Sequence, residues 1–72
     1  MIAQYLIHEV SVTRECEPES HPLFIIYLDG AYNTKTRSGN WLAQCDERTS
    51  AELITKALNY CVGEGLVKFI KP

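Results

Sequence analysis

Seventy-two residues, 46% hydrophobic and 22% charged, describe one small globular α+β domain and exclude a disordered chain or a second domain. The formal charge of −2, nine acidic side chains against seven basic, argues against generic adhesion to nucleic acid. No apolar run approaches the ~20 residues of a membrane span; the longest, 23–28, suits one buried strand.

Cys16, Cys45 and Cys61 are odd in number and widely spaced, and no basic leader region precedes them, so the expected setting is a cytoplasmic one with reduced thiols. Cys45 and Cys61 fall on apolar faces and read as small core residues, whereas Cys16 lies in an acidic loop and reads as exposed.

Residues 2–13 predict a long first strand. Leu6, His8, Val10 and Val12 share one side, and Tyr5, Ile7, Glu9 and Ser11 the other, with neither side cleanly apolar, so a bulge or a change of partner is expected along the strand. Residues 14–22 hold two prolines and three glutamates (Glu15, Glu17, Glu19) and predict a solvated loop. Residues 23–28 form the strongest strand, apolar on both faces and therefore central. Asp29-Gly30 predicts a type I′ hairpin turn into a return strand over 31–36. A second turn at 37–40 and a strand over 41–45 complete a three-strand meander. The alternative is a long mobile loop over 32–40.

Thr49 to Glu52 fits a capping box at the start of a helix. Leu53, Ile54, Ala57, Leu58, Cys61 and Val62 then recur at helical spacing and predict the stripe that faces the core. Glu52 and Lys56 are placed to pair one turn apart, and Gly63 supplies a left-handed terminus. Residues 66–70 predict a closing strand with Lys68 and Lys71 at its edge. The expected fold is an antiparallel or mixed sheet of four to five strands, order β-β-β-β-α-β, with one amphipathic helix packed on one face of a single domain spanning residues 1–72.

The chemistry-bearing residues are sparse. Cys16, His21, His8, Cys45 and Cys61 lack the paired spacing that pre-assembles a metal centre, so no metal and no cofactor is expected. Nothing positions a thiol against an imidazole, and Ser38-Gly39 lacks a nucleophile-elbow context, so the chain is not expected to be an enzyme. Asp46 and Glu47 are adjacent and read as helix-dipole charges.

The richest segment runs over 32–41, where Tyr32, Lys35, Arg37 and Trp41 combine aromatic rings with basic side chains, the mixture used for phosphate contact and base stacking. The same residues in an ordinary polar hairpin, with Trp41 as a core anchor, fit the acidic composition better. A surplus of rings also points to a second copy of the chain. Seven aromatic residues are many for one helix to cover, and a central strand apolar on both faces needs a lid on each.

The stretch from Trp41 to Cys61, a short strand, an acidic corner, a helix and a glycine turn, resembles the corresponding part of HicB-like antitoxin domains. The likeness covers under a third of the chain. The Pro-Gly-Cys-type turn and the Gly-Asp-Thr approach of that family are replaced by Gln44-Cys45-Asp46-Glu47-Arg48-Thr49. What the resemblance implies is a small sheet with one helix that acts by binding a toxin protein.

The sequence thus predicts a small non-enzymatic protein–protein interaction module, homodimeric, with a regulatory or inhibitory role of the kind found on mobile elements. Its predicted partner-binding residues are Tyr27, Tyr32, Lys35, Arg37 and Trp41, and its predicted partners are itself and an unidentified protein, with no membrane. The alternative is a single-stranded nucleic-acid binder using the 32–41 hairpin.

Overall fold

Strand alternation decides the centre of the molecule. In the computed structural model, which describes residues 4–13, 15–16, 18–63 and 65–71, β1 (Tyr5–Thr13) and β2 (Ser20–Leu28) pair antiparallel without a break from Tyr5↔Leu28 to Thr13↔Ser20. The pleat sends Ile7 with Phe24 and Ile26 to one face, and Leu6 and Val10 with Ile25 and Tyr27 to the other. The expected alternation in the first strand is therefore the observed one, but the expected bulge or change of partner is absent from Tyr5–Thr13, because each face of the strand has its own apolar layer to meet. Residues 1–3, including the predicted strand start at Ile2, lie outside the described residues, as does Glu17 of the acidic loop. Glu15 and Glu19 of that loop are exposed.

The second strand begins earlier than predicted, at Ser20, and takes Pro22 into its ladder opposite Ser11. Proline is tolerated there because β5 (Ala43–Cys45) covers only Phe24 to Ile26 on the outer side of β2. On the far side of β1 lies β6 (Phe69–Ile70), shorter than predicted and parallel to its neighbour. The sheet order is β5-β2-β1-β6. Because β5 and β1 both run antiparallel to β2, and β6 runs with β1, the two edge strands are parallel to each other. A parallel pair needs a crossover, and α1 (Arg48–Cys61) supplies it across one face. The architecture is α+β: a mixed four-stranded sheet, one helix, and a second small sheet of β3 (Tyr32–Asn33) and β4 (Ser38–Gly39).

That second sheet replaces the predicted meander. Gly30 has φ +91 while Asp29 is not left-handed, and the Ala31 N–H donates to the Leu28 carbonyl at 2.9 Å. This is the pattern of a type II turn, not the type I′ turn that keeps a chain beside its own strand. The chain leaves β2 and folds its hairpin over the sheet. Asn33 holds the tip, its Oδ1 accepting from the Lys35 and Thr36 N–H groups at 2.9 and 3.3 Å. Gly39 closes the hairpin at φ +113, where a Cβ would lie 2.6 Å from the Ala31 carbonyl oxygen.

The helix is at the predicted place but turned differently. Its buried residues are Ala51, Thr55 and Asn59, so Leu53, Ile54, Ala57 and Cys61 of the predicted core stripe point outward while Leu58 and Val62 are half-buried. Small side chains bring the helix axis close to the sheet, and one of them binds it. Asn59 Oδ1 accepts from the Tyr5 N–H at 2.7 Å, and Nδ2 donates to the carbonyls of Tyr5 (2.9 Å) and Leu66. A side-chain amide here completes the hydrogen bonding of a strand end. The capping box does not form. Glu47 occupies the N-cap position without a side-chain cap, and Glu52 pairs with Arg48 at 3.1 Å instead of with Lys56. Gly63 is left-handed at the C-terminus, as expected.

Two clusters make up the core. Under the helix lie Ile7, Phe24, Ile26 and Ala51, with Phe69 edge-on to Phe24 at 6.4 Å. Beneath the hairpin lie Leu6, Val10, Ile25 and Tyr27, which Tyr32 meets from the hairpin itself. The second face therefore has a cover within the chain, which removes the argument that a second copy must supply one.

Candidate interaction surface

The predicted partner-binding residues separate into two groups. Tyr27 and Tyr32 are interior, 3% and 8% exposed, with ring centroids 5.0 Å apart. They build the hairpin-side core and offer a partner almost no surface, a correction to the prediction that follows from the hairpin's route over the sheet. Burial, with Asp29 and Tyr32 nearby, raises the Tyr27 phenol above its ordinary range. Lys35 and Arg37 are exposed on the tip, Arg37 with a left-handed φ of +54. Trp41 is 47% exposed rather than a buried anchor. It borders an apolar cleft of about 190 Å³ with Tyr5, Leu28, Ala31, Asn40 and Leu42.

His8, mid-strand on an apolar face, is fully buried. Its Nδ1 lies 3.2 Å from Tyr32 Oη, and its Nε2 has no hydrogen-bond partner among the described residues. Burial first and the Arg37 guanidinium second depress its pKa below the ordinary imidazole value. The sequence signal was present: a histidine between Leu6 and Val10 on the same side of a strand.

Among the cysteines, Cys45 is half-buried and Cys16 is exposed, as expected, but Cys61 is exposed because the helix is turned. Among the described residues no group of three or more histidine, cysteine or acidic side chains is arranged to hold a metal ion. No helix among them is long and apolar enough to cross a membrane.

The outer side of α1 is the feature that sequence reasoning missed. Arg48, Glu52 and Lys56, four residues apart, run down one flank beside an open groove of about 570 Å³ that Val67 and Phe69 help to line. These are all the charged residues of the helix. The outer stripe of Leu53, Ile54, Ala57, Tyr60 and Cys61 carries none, and Leu53 and Tyr60 are 71% and 80% exposed. A solvated helix face ordinarily holds its charges there. Of the predicted apolar stripe, Leu53, Ile54, Ala57 and Cys61 face outward and Leu58 and Val62 are half-buried; the direction of the stripe is not in the pattern. No known protein family, curated protein or solved structure matches this chain.

Proposed function

We propose that the chain is a non-enzymatic protein-interaction module that works as a homodimer, docking through the uncharged outer stripe of α1, with a regulatory or inhibitory role. One observation carries this reading: the helix buries Ala51, Thr55 and Asn59 and presents Leu53 and Tyr60 to solvent. A fold that selected its helix only for its own core would place the larger apolar side chains inward. Contiguous exposed apolar surface marks a docking site.

The stripe is suited to a copy of itself. An isologous two-fold centred on Ala57 lays two helices antiparallel, with Leu53 of each near Cys61 of the other and the smallest side chain at the crossing. Burying one leucine-sized side chain contributes about 1.5–3 kcal/mol, so the four larger members of the stripe are energetically sufficient anchors. A domain of this size also gains from association, because its own core supplies a net stability of only about 3–5 kcal/mol.

Sedimentation equilibrium at micromolar concentration tests the reading. The expected result is a dimer that Leu53→Glu and Tyr60→Ser convert to folded monomer, and that Lys35→Ala with Arg37→Ala leaves intact. A monomer at every concentration removes the homodimer. Oligonucleotide binding that falls steeply with salt, and is weakened by the Lys35 and Arg37 changes, would favour the nucleic-acid alternative.

A further inference from the structure

Beyond its base, where the Asp29 N–H donates to the Gln4 carbonyl at 2.8 Å, the hairpin over the second sheet face is attached by one buried side chain among the described residues. Of residues 29–40 only Tyr32 is buried; Ala31 and Thr34 are half-buried and all others are exposed. Beneath lies the apolar layer of Leu6, Val10, Ile25 and Tyr27, and among these the imidazole that Tyr32 contacts. We propose that the 29–40 hairpin is a hinged cover, latched to the sheet by Tyr32 Oη on His8 and released when His8 takes up a proton.

The hydrogen-bond inventory sets the direction. A neutral imidazole with Nδ1–H donating to Tyr32 Oη leaves Nε2 as a bare acceptor, the cheaper kind of orphan. Protonation converts that atom to an N–H⁺ buried with no acceptor among the described residues. The groups around His8 do nothing to hold the charge. Its own strand offers Leu6 and Val10, and β2 offers Ile25 and Tyr27. From β6 comes Ile70, with exposed Lys68 before it and Lys71 after it, the latter 3.8 Å from Glu9. Tyr32 and the Arg37 guanidinium come from the hairpin, and a guanidinium repels an imidazolium. Opening the hairpin solvates His8 and removes Arg37 in one movement. Gly30, left-handed with no atom within 4 Å of where a Cβ would stand, is the hinge.

Release so described is linked to one proton. Below the imidazole's ordinary range, near 6.5, the open-to-closed ratio rises by up to about tenfold per pH unit. What it uncovers is an apolar sheet face distinct from the helix stripe.

The test is an NMR titration of the full chain between about pH 8 and 5, following the Tyr32 ring and the Ile25 methyl groups beneath it for the hairpin and the Asn59 side-chain amide for the helix layer. The hairpin signals are expected to report opening with a one-proton slope while the Asn59 signals hold. In His8→Gln the hairpin stays closed throughout. Arg37→Gln, at an exposed position, moves the release to lower pH, and Tyr32→Phe moves it to higher pH. The proposal is overturned if hairpin and helix signals change together, or if His8→Gln releases at the same pH as the native chain. Should His8→Gln fail to fold, an unmoved midpoint in Arg37→Gln overturns it equally.

Discussion

On one face of the sheet a helix is held by Ala51, Thr55 and Asn59, by Phe69 against Phe24, and by hydrogen bonds at Tyr5 and Leu66. On the other, a hairpin of similar length rests on Tyr32. The layers differ in kind. The helix satisfies its own backbone and adds a side-chain amide that ties a strand end, so lifting it breaks polar and apolar contacts together. Beyond its base, where the Asp29 N–H donates to the Gln4 carbonyl at 2.8 Å, the hairpin satisfies its tip through Asn33 and its neck through Asn40 N–H on Ala31 O, 2.8 Å, both within itself. It can therefore leave the sheet intact as a unit, and low-stability units of this kind are where conformational change concentrates.

The largest expected effect is at Asn59. Asn59→Leu keeps the volume and deletes hydrogen bonds to Tyr5 N–H, Tyr5 C=O and Leu66 C=O, leaving partly buried backbone groups unpaired. A loss of about 3 kcal/mol is expected in urea denaturation, with the slope unchanged. Tyr32 ring signals in the folded protein should be unaltered, because the hairpin does not share these bonds. A loss under about 1 kcal/mol would mean that the amide is not what fixes the helix layer.

A smaller effect is expected on the other face. Gly39→Ala forces a Cβ to 2.6 Å from the Ala31 carbonyl at φ +113, a local strain of about 1–3 kcal/mol. If the hairpin opens independently, the global penalty is capped by the cost of losing Tyr32 from its site. Exchange of the Asn40 amide should then accelerate far more than the denaturation midpoint moves. Equal changes in both would show that hairpin and sheet unfold as one unit.

How much of this was legible follows the range of the interactions. The alternation of β1 and the helix over 48–61 were readable because both are periodic and local. The turn at Asp29-Gly30 was readable as a turn but not as a type, since both types accept this pair and the choice rests on what the following residues cover. That choice decided whether Tyr27 and Tyr32 were surface or core. The helix direction was unreadable for a related reason. A moment shows that apolar residues share a side, and it assumes that the sheet takes that side. Here the sheet takes Ala51, Thr55 and Asn59, and Asn59 is compatible with burial only because the Tyr5 and Leu66 backbone groups meet it. Pairing of β6 with β1 is likewise set 62 residues apart in sequence, Ile7 with Phe69 and His8 with Ile70, and leaves no local mark. Of the five predicted site residues, Lys35, Arg37 and Trp41 lie on the surface, Trp41 against the reading of it as a core anchor, whereas His8 and the Leu53–Tyr60 side of the helix went unselected.

The smallest effect separates two contacts made by one side chain at the edge of the helix layer. The Arg48 guanidinium carbon lies 4.3 Å from the Phe69 ring centroid and its Nε 3.1 Å from Glu52 Oε1. With side chains 60% and 43% exposed, the ion pair is screened and worth a few tenths of a kcal/mol at most. The cation–π contact adds about 0.5–1 kcal/mol and also covers the β6 edge of the core. Arg48→Ala should therefore cost about 1 kcal/mol, mostly retained at high salt. Glu52→Gln should cost less, and only at low salt. If the two substitutions match at both ionic strengths, the ring contact contributes nothing, and the helix layer is held at its N-terminus by the buried Ala51 instead.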